Sequence, residues 1–253
     1  MGAVISVKYN NKKGKLTVVD GGKTPKYRKD GQVKQTQCNS KKGTSHTSVS
    51  IKDVGVIDLI IKEFEDRIKA STTWAKEKKR RRDLTIFILG INIGLRAFDL
   101  LSLKYEDVLN KKGEIRSMIE MFEQKTGKKK EFFINKTASA VLLDFIERTN
   151  PNLDGYIFEG WKGKHLTVDS YAKTLKSVTE ACDIEERMRT HTMRKTFAYQ
   201  QLKTHKDDGE FVMELCILLN HSSLEATKHY VGVDTEQRKQ YFDDVNLGYV
   251  PSV

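Results

Sequence analysis

At 253 residues, 38% hydrophobic and 31% charged, the chain is long enough to bury one sizeable core. Its longest apolar run, residues 86–91, is far short of the roughly 20 residues that cross a bilayer, which excludes a membrane-spanning helix. The formal net charge of +11, from 45 Lys and Arg against 34 Asp and Glu, points toward a polyanionic partner.

That charge is unevenly placed. Residues 1–50 hold ten Lys and one Arg against Asp20 and Asp30, nine of the eleven net positive charges, while residues 51–253 are almost balanced. Two readings stay open for this first segment: a solvated, partly disordered basic tail, or a part drawn to a polyanion by counterion release. Within it, residues 4–9 and 15–19 predict two short strands paired across a turn at 10–14. No basic leader with an apolar stretch opens the chain, so a cytoplasmic protein is expected. Cys38, Cys182 and Cys216 stand too far apart for metal-ligand or C-x-x-C spacing, and no metal or disulfide framework is expected.

Residues 51–253 read as one domain. Val54, Ile57, Ile60, Ile61, Phe64 and Ile68 recur at three and four, which predicts an amphipathic helix from residue 53. The basic cluster 76–82 reads as a solvated linker to a core helix over 83–93, apolar on nearly all sides and ending at Gly94 near Arg96. A short turn follows at 99–103. Apolar residues on either side of a Lys-Thr-Gly-Lys turn between 114 and 134 predict a β-hairpin with Lys125 at its tip. Helical patterns cover 136–148, 167–181, 192–203, 210–219 and 223–230, with a weak one at 236–242; Ser222 and Glu225 make a capping-box pattern. The fold class is therefore α+β, mainly helical with a small antiparallel β-sheet. No internal repeat and no phosphate loop of the GxxxxGK[ST] kind is present.

Six residues stand in ordered contexts. Arg96 lies in Gly-Leu-Arg-Ala-Phe-Asp-Leu-Leu-Ser-Leu, Lys125 in Gln-Lys-Thr-Gly, and His191 and Arg194 in Thr-His-Thr-Met-Arg-Lys-Thr-Phe. His221 follows in Leu-Leu-Asn-His-Ser-Ser, and Tyr230 stands nine residues later in His-Tyr-Val-Gly. In this order and spacing, over about residues 54–245, the chain resembles the tyrosine recombinase (phage integrase) family. Its signature is an Arg in a GLR-x-x-[ED]-L context, a hairpin Lys, HxxR, a further His and a Tyr nine residues on.

The chemistry suits these residue types. A phosphodiester under attack becomes pentacoordinate and gathers negative charge on its nonbridging oxygens, which the fixed forks of Arg96 and Arg194 match. His191 and His221 would donate to the same oxygens or assist proton transfer. A free tyrosine with a pKa near 10 is almost wholly protonated at neutral pH, and a cationic pocket is expected to lower that value. The resemblance implies that Tyr230 attacks the DNA phosphate to give a 3′-phosphotyrosyl intermediate, that Lys125 protonates the departing 5′ oxygen, and that no cofactor, ATP or metal is used. Asp99 fits a supporting acidic position, Lys128 competes with Lys125, and Tyr241 and Tyr249 are rival nucleophiles.

Three departures stand out. Arg194 and His221 are 27 positions apart, more than is usual, and residues 203–209 are expected to enlarge a loop. Asn220 replaces a Gly. The fifty Gly- and Lys-rich leading residues cannot form the helical core-binding domain that usually precedes the catalytic one, so the chain resembles the short, single-domain type. The resemblance implies site-specific recombination (integration, excision or inversion) on double-stranded DNA, by a homo-tetramer on synapsed sites, in the cytoplasm at the nucleoid. Type IB topoisomerase-like relaxation and a non-catalytic DNA-binding accessory role are the alternatives.

Overall fold

The computed structural model describes residues 6–10, 15–19, 48–122, 127, 129–186, 188–205, 208–221 and 223–231, and the chain divides into two units, Met1–His46 and Thr47–Val253. In the first unit, β1 (Ser6–Asn10) pairs antiparallel with β2 (Lys15–Val19), Ser6 opposite Val19 and Asn10 opposite Lys15. The predicted hairpin is thus present; the rest of that segment lies outside the described residues.

In the second unit a carboxylate starts α1 (Val54–Lys69): Asp53 accepts from the Gly55 amide at 2.8 Å, and the stripe buries Ile60 and Phe64. The hydroxyl of Thr73 caps α2 (Trp74–Ile93), so the basic cluster is not a linker but the first half of this helix. Lys, Arg and Glu are good helix formers, and no Gly or Pro interrupts residues 74–89. The charged heads also find partners. Arg81 pairs with Glu77 one turn back at 2.7 Å, Arg82 with Asp83 at 2.8 Å, and Arg80 donates to the Arg67 carbonyl on α1.

α2 ends at Gly94, whose φ of 75° is the left-handed conformation glycine adopts without penalty. Then follow α3 (Ala97–Leu101), α4 (Tyr105–Val108), the hairpin β3 (Met118–Phe122) and β4 (Lys129–Phe133), α5 (Lys136–Thr149) and α6 (Val168–Ala181). α7 (Thr190–Thr204) begins two residues earlier than its apolar pattern, which puts His191 inside the helix. α8 (Gly209–Leu219) is capped by Asp208, which accepts from the Phe211 amide at 3.0 Å. Residues 203–204 end α7 and Gly209 begins α8, while 206–207, within the segment expected to enlarge a loop, lie outside the described residues. Before α9 (Leu224–Val231) the Ser223 hydroxyl accepts from the Ala226 amide at 3.1 Å; Ser222 and residues 236–242 lie outside the described residues.

The result is the expected mainly helical fold with a small antiparallel sheet. α2 occupies the middle, packed against α1, α5 and α7, with Ile86, Phe87 and Leu89 wholly buried. Each such side chain contributes roughly 1.5–3 kcal/mol. A second cluster, Phe197, Leu202, Val212, Leu215 and Leu219, fills the space between α7 and α8. α7 bridges the two, because Met193 belongs to the first cluster and Phe197 to the second. Two glycines let it lie close to α2: a Cβ on Gly90 would stand 2.6 Å from Met193 Sδ, and one on Gly94 2.3 Å from the Phe197 ring. Among the described residues no helix is long and apolar enough to cross a membrane.

Candidate active site

Two helices end at the same point, and a guanidinium sits between their ends. Arg194 is only 3% exposed; its Nη1 donates to the Gly94 carbonyl at 2.6 Å and its Nη2 to the Leu219 carbonyl at 3.1 Å. Burying a charge is costly unless it is compensated. Here the C-termini of α2 and α8, each worth about half a negative charge, supply the compensation along with hydrogen bonds to backbone oxygens. Both helices stop by turning left-handed, at Gly94 and at Asn220 (φ 55°), and Asn is the residue besides Gly that tolerates this turn best. The Asn220 departure from the family pattern therefore preserves the backbone geometry.

Beyond Asn220 the chain folds back, and the His221 amide donates to the Cys216 carbonyl at 3.0 Å. This places the imidazole over α9. Its Nδ1 lies 2.9 Å from Thr227 Oγ1, and that fully buried hydroxyl donates onward to Cys216 Sγ at 3.2 Å. Burial first, then the charges of Arg194 and Arg96, hold His221 below the ordinary imidazole pKa of 6.5, so it is neutral at pH 7.

Tyr230 stands edge-on to His221, the ring centroids 4.8 Å apart and the planes at 68°. Its ring packs against the α7–α8 cluster, and the charges of Arg194 and Arg96 act on its hydroxyl. Arg194 and Arg96 both pull its pKa down, as expected of a cationic pocket. The net shift is nonetheless upward from 10, because burial outweighs them. The expected lowering is thus reversed.

Arg96 is half-buried at the head of α3, immediately past the left-handed turn at Gly94, and its charge reaches both His221 and Tyr230. Asp99, 1% exposed, lies one turn along the same helix. His191 is exposed on the first turn of α7, three residues before Arg194 and so on the same side of the helix. The structure therefore gathers Arg96, Arg194, His221 and Tyr230 directly. Lys125 and its rival Lys128 lie outside the described residues, as do Tyr241 and Tyr249. The described part of the hairpin does reach the same helix end, since Lys130 on β4 donates to the Ile217 carbonyl of α8.

Sequence reasoning missed Thr227 and Lys195. Thr227 stands one turn before Tyr230 on α9 and reads as an ordinary helix residue. Lys195 sits beside Arg194 on α7, and its ammonium lies 4.9 Å from the Tyr230 ring centroid.

Two guanidinium groups, a neutral imidazole and a phenol around one point define a pocket for phosphoryl transfer through a covalent intermediate. The sequence profile of the phage integrase family matches residues 61–237, and the chain belongs to that family and is a tyrosine recombinase, a DNA strand transferase by class. It is 33% identical over 160 residues to a probable integrase/recombinase, YoeC, of Bacillus subtilis (strain 168), covering 62% of this chain and 81% of that one. It is 27% identical over 167 residues to the tyrosine recombinase XerD of Listeria monocytogenes serotype 4b (strain F2365), covering 64% of this chain and 53% of XerD. The chain thus spans about half the length of its XerD relatives. Among solved structures, the XerH site-specific recombinase bound to a palindromic difH substrate, in a post-cleavage complex, aligns with a TM-score of 0.59 at 16% identity, over 86% of this chain and 58% of that one. XerA recombinase aligns with a TM-score of 0.56 at 16% identity, over 83% and 68%. These two share the fold. The comparisons favour neither the topoisomerase nor the accessory reading.

Proposed function

We propose that this chain performs site-specific recombination by cutting and rejoining double-stranded DNA, with Tyr230 as the nucleophile. The observation that carries this reading is the convergence of Tyr230 with His221 and the two arginines, Arg194 and Arg96. In the proposed step Tyr230 Oη forms a bond to phosphorus and the bond from phosphorus to the 5′ oxygen breaks. His191 or His221 takes the phenolic proton, and Lys125 gives a proton to the leaving oxygen. Arg96 and Arg194 hold the nonbridging oxygens as their charge grows. The 3′-phosphotyrosyl linkage conserves the phosphodiester's energy, so a 5′-hydroxyl from another strand rejoins by the reverse route with no ATP or metal.

The further assignments are a homo-tetramer on paired sites, action on DNA in the cytoplasm at the nucleoid, and a catalytic domain formed by residues 51–253. The basic segment 1–50 adds grip on the phosphate backbone. Nicked duplexes drawn from DNA flanking the chain's own gene test the central claim. An SDS-stable protein–DNA adduct should form and be absent in Tyr230→Phe. Adduct formation by that variant would overturn the assignment, and none from the wild type on any duplex would leave only a binding role.

A further inference from the structure

The first described residues of the second unit lie across α7 as a strap. Lys195 Nζ donates to the Ser48 carbonyl at 2.7 Å, the Ile51 amide donates to Thr196 Oγ1 at 2.9 Å, and Gln200 Nε2 donates to the carbonyls of Ile51 and Lys52, each at 3.2 Å. Ser48, Ile51 and Thr196 are 8%, 3% and 0% exposed, so these bonds are shielded from water. Three α7 residues thereby grip five residues of chain.

The ammonium that holds Ser48 also faces the Tyr230 ring, 4.9 Å from its centroid. An ammonium near an aromatic ring is attracted to its π-electrons, and the attraction strengthens as water is excluded. A lysine stem has many rotamers, and a single ammonium on it restrains a ring only if something else holds the ammonium. The Ser48 carbonyl supplies that hold. Lys195 thus contacts both the Ser48 carbonyl and the face of the Tyr230 ring.

We propose that Lys195 is a positioning residue, held by the strap at residues 48–52, that fixes the Tyr230 ring for in-line attack on phosphorus. This rests on Tyr230 being the nucleophile. Reacting atoms must come within about 3–3.5 Å in line, and a misplacement of about 1 Å lowers a rate by roughly 100-fold.

The test uses the full chain with Lys195→Met, Lys195→Arg and Thr196→Val. Single-turnover adduct formation is measured on a nicked duplex at saturating concentration, and affinity by fluorescence anisotropy on the same duplex. Lys195→Met should slow adduct formation by roughly 10–100-fold while Kd stays within about twofold of wild type. Lys195→Arg, which keeps a donor and a cation at that place, should restore most of the rate. Thr196→Val, which removes the acceptor for Ile51 and loosens the strap, should slow adduct formation in the same sense but less. A wild-type rate in Lys195→Met overturns the proposal, and so does a defect that saturating DNA abolishes, because that marks a DNA contact. No adduct from the wild type removes the nucleophile assignment first and this inference with it.

Discussion

Replacing Arg194 with alanine should damage the fold and the chemistry together, in amounts that can be separated. The guanidinium is 3% exposed and donates two hydrogen bonds to backbone carbonyls at the ends of α2 and α8. A hydrogen bond from a charged donor contributes about 1.5–3 kcal/mol, and its loss leaves both carbonyls facing a void. The expected cost is therefore about 3–5 kcal/mol, or roughly 6–20 °C in Tm for a unit of this size. Lysine in its place keeps the charge but cannot span both carbonyls, so Arg194→Lys should lose about half as much. Arg96 is half-buried and heads α3 without a side-chain cap bond, so Arg96→Ala should cost less stability while lowering cleavage by about 10²–10³. Thermal unfolding followed by circular dichroism, beside adduct formation on nicked duplexes, reads both quantities. If Arg194→Ala unfolds within about 2 °C of wild type, the two helix ends are not held together by this side chain, and the account of how its charge is compensated fails.

The other consequences concern packing, orientation, protonation and DNA affinity. Gly90→Val places atoms where Met193 already lies and should push α7 from α2, at a cost of about 1–3 kcal/mol with slower cleavage; unchanged unfolding and activity would show that the close approach is dispensable. Thr227→Val removes the partner of His221 Nδ1 and should slow adduct formation about 5–10-fold with little change in Kd, and an unaltered rate would mean that the hydroxyl does not orient the ring. Because the folded pKa of His221 is depressed below 6.5, the unfolded chain binds the extra proton first. Stability is therefore full above that value and falls as the pH drops through it, and His221→Gln should flatten this limb of a Tm-versus-pH curve; a limb of unchanged slope would assign the titration to another group. Deleting residues 1–46, which leaves the strap at 48–52 in place, should weaken DNA binding and reduce the slope of log K against log salt by roughly 0.9 for each phosphate that is no longer neutralised; an identical slope would remove the basic segment from the interface.

What could be read in advance was carried by side-chain type and spacing. The stripe from Val54 to Ile68 became α1, the apolar runs flanking the Lys-Thr-Gly-Lys turn became paired strands, and three of the six ordered residues, Arg96, Arg194 and His221, meet around a fourth, Tyr230. The cluster at 76–82 misled because dense positive charge reads as solvated chain, whereas in the fold Arg80 and Arg82 direct their donors to backbone carbonyls of other segments. The acceptors that define the site, on Gly94, Leu219 and Ser48, are backbone groups, and no residue type announces them. The direction of the Tyr230 shift was hidden for a related reason: the sequence displays the cations that lower the pKa but not the burial that raises it further.

That reversal bears on how the proposed nucleophile loses its proton. With burial holding the phenol above 10, and an incoming phosphate adding negative charge beside it, a free phenolate formed before attack becomes less accessible, not more. Proton loss that accompanies bond formation to phosphorus avoids that phenolate, and it calls for a neutral base near the phenol. His221 has that character, since burial and the two arginines keep its ring uncharged. Its Nδ1 is engaged with the Thr227 hydroxyl at 2.9 Å, and in the tautomer that donates Nδ1–H to that oxygen the lone pair stands on Nε2. The same arginines that would hold a pentacoordinate phosphate thus keep the neighbouring imidazole uncharged and able to take a proton, while the buried Thr227 hydroxyl holds its Nδ1 edge.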